Sequence, residues 1–202
     1  MVNIQHTTEE RILEAAKKIF HRKGYEGARM QEIADEAGIN KALLHYYFRT
    51  KENLFNSVFQ AAFREIFSRL ILTVGSDDSL EDKLRKMIEE YIGFLQKNSY
   101  IPGFILAEMN QNPEKIVEVF NSVPVQPSRL FERIKDSLQD AKLDSIDPRD
   151  LFINILALCI FPIAAKPIMK ALFNFTEEEY SEFIEKRKNE LPDFIMNAIR
   201  KK

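Results

Sequence analysis

The stretch AGINKALLHYYF, residues 37–48, concentrates side chains able to meet a polar, anionic surface. A helix capped by Asn40 places Leu44 and Phe48 four residues apart, on one inner face. Lys41, Leu43, His45, Tyr46 and Tyr47 are then left outside. Plain solvation does not call for a leucine, a histidine and two tyrosines on one short surface. Ammonium and phenol groups donate to phosphate oxygens, and a leucine side chain can rest on a thymine methyl. Between residues 37 and 51 stand three cations, Lys41, Arg49 and Lys51, with His45 and no acid. That patch is modest, and charge alone does not separate it from an ordinary solvated face.

The elements that must position these residues are helices. Thr7 and Glu10 make a capping box, and Ile12, Ala15, Ala16, Ile19 and Phe20 follow at helical spacing. His21, Arg22 and Lys23 suit a last turn, so the pattern predicts an end at Gly24. A short second helix over residues 29–37 carries Met30, Ile33, Ala34 and Ala37 on one side and stops at Gly38. Ala-Gly-Ile then joins it to the helix of residues 41–48, a helix-turn-helix unit with Ile33, Ala34 and Ile39 packed inward. Thr50 caps a long fourth helix with an apolar face from Leu54 to Val74, and GSDDS ends it. Further helices follow, one starting at Asp147-Pro148 and the last at a second capping box, Thr176 and Glu179. Only 6 Gly and 8 Pro interrupt 202 residues, and no repeat appears. The fold class is all-α.

Composition excludes several functions. A 45% hydrophobic, 30% charged chain is that of a soluble globular protein. The N-terminus lacks the apolar core of a signal peptide, and the most apolar run, residues 151–165, is too short to cross a membrane. No membrane partner is therefore expected. The single cysteine, Cys159, fits a reducing cytoplasm and reads as an inert core thiol. All three histidines fall within the first 50 residues, so the larger part has no imidazole for acid–base work. With no second cysteine, no GxGxxG and no phosphate loop, neither catalysis nor a metal or other cofactor is expected.

The segment GYEGARMQEIADEAGINKALLHYYFRTKENLF, residues 24–55, resembles the DNA-binding domain of the TetR family of transcriptional regulators. The I-A-x-x-A-G turn, the aromatic end of the third helix and the Lys51-Glu52 pair stand at family spacing. The resemblance implies a DNA-binding domain over residues 1–50 and a helical ligand-binding and dimerisation domain over residues 51–202. It implies that Lys41, Ala42 and Leu43 approach base edges, and that His45, Tyr46, Tyr47 and Lys51 lie on the phosphate backbone. Two departures matter. Ala28 and Arg29 stand where the family usually has hydroxyl residues, and Arg29 is read as a charged replacement for that phosphate contact. His45 stands where tyrosine is usual, and is read as a neutral phosphate donor.

The resemblance further implies a homodimeric repressor on double-stranded DNA, at a palindromic operator, released by a small molecule. Phe63, Phe67, Tyr91, Phe94, Phe104, Met109 and Phe131 could line the effector pocket, although such a stripe is more often core. Few cations accompany them, which favours a bulky apolar effector. Residues 151–165 are apolar all round except for Asn154, and such a helix needs cover on both sides. The terminal helix adds further apolar residues, with a kink expected at Pro192. Leu151, Ile155, Phe183, Leu191, Phe194, Ile195 and Ala198 are accordingly assigned to the dimer interface. The alternative is a DNA-binding helical protein whose C-terminal part only dimerises or binds a protein partner.

Overall fold

The computed structural model describes residues 7–111, 113–122 and 127–200. Among them are eleven helices and no strand: α1 (Thr8–Gly27), α2 (Met30–Glu36), α3 (Lys41–Tyr47), α4 (Lys51–Val74), α5 (Leu80–Lys97), α6 (Tyr100–Gln111), α7 (Pro113–Ser122), α8 (Pro127–Asp140), α9 (Pro148–Ala164), α10 (Lys166–Phe173) and α11 (Glu177–Arg200). Both capping boxes form, with reciprocal bonds between Thr7 and Glu10 and between Thr176 and Glu179. Asp147 caps α9 with Pro148 in the first turn. Pro192 lies inside α11, which continues through it as one helix.

The chain divides into two compact units, residues 1–64 with 98–122, and residues 65–97 with 123–202. The division does not fall at the expected break between residues 50 and 51. The reason is aromatic packing. Phe55 of α4 is fully buried and sets its ring against Phe20 and Tyr25 of α1 and against Tyr100 and Phe104 of α6. Phe59 and Phe63 extend the cluster along α4. Each edge-to-face pair adds about 0.5–1.5 kcal/mol beyond its buried area. The first turns of α4 and all of α6 thus belong to the unit of α1–α3.

In the other unit α5 packs on α11 and α9, and α8 packs on α9. Leu84, Ile88 and Ile92 of α5 meet the buried faces of α9 (Leu151, Ile155, Cys159) and α11 (Ile184, Leu191, Ile195). Arg85 pairs with Glu81 on its own helix and Asp193 on α11, and Arg200 reaches Glu81. These exposed pairs fix register more than they add stability. Burial pushes the Cys159 thiol up to about 12, which leaves it protonated.

Phe55→Ala should lower stability by about 3–5 kcal/mol, the usual cost of emptying a buried phenylalanine site. Tyr46→Ala, 80% exposed on α3, should change it by less than about 0.5 kcal/mol. Urea titration followed by circular dichroism measures both. Equal effects would contradict this assignment of core and surface.

Candidate nucleic-acid interface

The α2–α3 turn is built from backbone requirements. Gly38 N–H donates to Asp35 O at 3.1 Å and Ile39 N–H to Ala34 O at 3.0 Å, the two bonds of a Schellman ending. That ending needs a left-handed residue, and Gly38 has φ +65°. A Cβ there would also lie 3.2 Å from the Arg11 guanidinium. Arg11 holds the turn from α1, its Nη2 donating to the Ala37 carbonyl at 2.6 Å. No local pattern signals this contact, because 26 residues separate the partners. Asn40 then caps α3, its Oδ1 accepting from Leu43 N–H at 2.8 Å.

So fixed, α3 buries Leu44 and Phe48 and presents Lys41, Ala42, Leu43, His45, Tyr46 and Tyr47 to solvent. Leu43 is 37% exposed and Tyr47 40%. The two tyrosine rings meet edge to face at 5.5 Å. Arg29 stands exposed at the N-cap of α2. Two acids of α2 are held by α1: Glu36 pairs with Lys18 and Arg22, and Glu32 with Lys23. The hydrogen bonds from Lys18 and Lys23 lower the Glu36 and Glu32 carboxyls below the usual range. Lys41 and Arg49 make no ion pair among the described residues. The surface around α3 is therefore a cationic, aromatic face with no competing carboxylate on the helix.

Two assignments need correction. Lys51 does not point a free ammonium outward. Its Nζ donates to the carbonyls of Tyr25 (2.9 Å), Ala28 (3.3 Å) and Glu26 (3.4 Å), and lies 4.4 Å from the Tyr25 ring centre. Gly24, non-helical at φ +68°, breaks α1 just before these residues, and an ammonium has only three donors. Lys51 caps the end of α1, with its three N–H donors directed at these carbonyls. His45 is also committed: its Nδ1 lies 3.1 Å from the Arg49 carbonyl. A carbonyl only accepts, so Nδ1 carries the hydrogen, and the neutral ring keeps an acceptor at Nε2. Neutral His45 therefore has no donor left for a phosphate.

The expected effector residues separate. Phe63 and Phe104 lie in the aromatic cluster around Phe55, and Met109 is exposed on α6. In the other unit Tyr91 stacks on Phe94 at 6.5 Å and Phe131 meets Phe152 at 5.5 Å, while Phe67 is half-buried. The residues assigned to the dimer interface divide between core and surface. Leu151, Ile155, Leu191 and Ile195 are buried in the core of their own unit, where α5 covers them. Phe183 is half-buried, and Phe194 and Ala198 are exposed. The exposed large apolar residues of α9 are Ile153 and Phe161, not singled out by the all-apolar run.

Residues 12–58 match the family described as bacterial regulatory proteins, tetR family. The probable HTH-type transcriptional regulator YttP of Bacillus subtilis is 24% identical over 131 residues. That match spans 63% of this chain and 63% of YttP, less than two thirds of its length. IcaR of Staphylococcus aureus, the negative transcriptional regulator of the biofilm operon icaADBC, is 21% identical over 176 residues, 87% of this chain and 92% of its own. The same fold occurs in the fatty acid degradation regulator FadR of Bacillus halodurans, with a TM-score of 0.67 at 19% identity over 93% of this chain and 95% of that one. The family and these relatives are regulators, not enzymes. Residues 12–58 thus carry the helix-turn-helix of the bacterial regulatory proteins of the tetR family, and the chain shares the all-helical fold of FadR along most of its length.

Proposed function

We propose that the chain is a homodimeric repressor that binds a palindromic operator through α3 and is released by a small apolar effector. The carrying observation is the outward face of α3. Leu43 and Tyr46 are exposed on a helix whose packing needs Leu44 and Phe48 satisfy, and no acid shares that helix. Negative regulation is the function named for IcaR. Lys41, Ala42 and Leu43 take the base edges, and Arg29, Tyr46 and Tyr47 the phosphates.

Pairing is supported by apolar side chains that the single chain leaves uncovered. Ile153 and Phe161 on α9 are 61% and 64% exposed, and Phe194 on α11 is 61% exposed. A second copy related by a two-fold axis covers them and sets two recognition helices about 34–36 Å apart, one turn of DNA.

Leu43→Ala should relax preference at one base pair of each half-site, by about 1–3 kcal/mol. Arg29→Ala should weaken all sequences alike and flatten the salt dependence by about one unit. Selection on randomised operators separates the two effects, and uniform loss in both variants would remove base reading from Leu43.

Light scattering of the wild type should give about twice the 23.6 kDa chain mass. Phe194→Glu, at an exposed position, should give folded monomers with weakened operator binding. Ile195→Glu should instead unfold the unit, since that side chain lies in its core. A monomeric wild type that held a palindrome tightly would overturn the pairing.

A further inference from the structure

Two of the groups expected on the phosphate backbone are spent on carbonyls instead. Lys51 directs its ammonium at Tyr25, Glu26 and Ala28, and His45 gives its Nδ1–H to Arg49. A neutral imidazole has only that one donor. The corner between α3 and α4 keeps one uncommitted cation, Arg49. Its side chain is exposed and has no ion pair or hydrogen bond among the described residues.

The main chain of Arg49 is fixed on three sides. Before it, Phe48 is buried. After it, Thr50 caps α4, its Oγ1 accepting from Asn53 N–H at 3.0 Å and its carbonyl from Leu54 N–H at 3.2 Å. From the side, His45 Nδ1 donates to the Arg49 carbonyl at 3.1 Å. Phe48 is extended, at φ −132° and ψ 98°, and along extended chain successive side chains leave on opposite sides. With Phe48 directed inward, Arg49 is directed out. His45 belongs to the exposed face of α3, so its bond sets this corner beside Tyr46 and Tyr47.

A guanidinium carries five N–H donors in a planar fork that matches phosphate oxygens two at a time. A backbone held in advance avoids the ordering cost that a free loop would meet on binding. We infer that Arg49 is a phosphate contact of the α3–α4 corner and that His45 is its positioning residue, acting through the Arg49 carbonyl. The inference rests on the operator reading of α3 and adds a contact to those of Arg29, Tyr46 and Tyr47. It also gives His45 a part in binding that needs no bond between its ring and the DNA.

Fluorescence anisotropy with the full chain tests it, on a duplex enriched from a randomised pool and on a scrambled duplex of equal length. Each is titrated over a range of KCl concentrations. Arg49→Gln should weaken both duplexes, by about ten-fold per half-site at low salt, since a phosphate contact reads no sequence. It should also flatten the dependence of log affinity on log salt by about one unit per half-site. Arg49→Lys should keep the wild-type slope. His45→Ala should weaken binding, and His45→Asn, whose amide nitrogen can stand where Nδ1 stands, should restore it. In an Arg49→Gln background His45→Ala should cost nothing further, a coupling that a general loss of structure does not produce. A wild-type salt slope in Arg49→Gln, or a His45→Ala loss that persists in that background, would overturn the inference. A wild type that enriches no sequence from the pool sinks the operator reading and the inference with it. One that enriches a sequence which Arg49→Gln binds equally well sinks the inference alone.

Discussion

A helix that ends or breaks inside a folded unit leaves carbonyl groups with no N–H partner, and this constraint governs where the long cations of the chain go. Three of them reach across to another helix and donate to such carbonyls. Arg11 on α1 closes the end of α2 at Ala37, and Lys51 on α4 closes the end of α1 around Tyr25 and Ala28. Arg187 on α11 supplies the donor that Pro162 denies to α9. Each bond satisfies a backbone group and at the same time ties two helices in one relative setting. Tyr180 does the same with its hydroxyl, donating to the Pro162 carbonyl at 3.1 Å just before the α9–α10 break.

The charge of the DNA-facing surface follows from this division of labour. A count of residues 1–52 gives nine cations against eight acids, which barely favours a polyanion. The structure removes Arg11 and Lys51 into caps, and it pairs Lys18, Arg22 and Lys23 with Glu36 and Glu32. Lys41, Arg29 and Arg49 remain outside these bonds, clustered near the turn. A net charge close to zero is thus compatible with a locally cationic face, because the ion pairs sit on the α1–α2 side. What decides is which cations are left over, not how many there are.

Most of the fold was legible because it is local. Capping boxes, Asn40, the Gly38 turn and the Asp147-Pro148 start act over three or four residues, and periodicity gave the helices between them. The inner face of α3 was legible for the same reason: Leu44 and Phe48 are four apart. What failed was non-local. The break at Gly24 is itself legible, but no short-range pattern brings Lys51 to the carbonyls it frees, since Tyr25 lies 26 residues earlier. The interface residues failed for a different reason. An all-apolar helix such as α9 shows no polar side from which to tell its faces apart, so Leu151 and Ile155 could not be separated from Ile153 and Phe161. Burial in the structure makes that separation at once.

The α9–α10 bend is where these two themes meet. Pro162 withdraws one N–H, the chain turns at Ala165, and two carbonyls need donors that only α11 can bring. A straight helix with an N–H at position 162 would have let its carbonyls bond internally and kept no polar group on this face. The bend instead draws a guanidinium onto an apolar wall and holds α10 apart from α9, so one backbone break produces both the concavity and the charge. Phe161 stands on the rim of that concavity and also among the exposed apolar residues of α9.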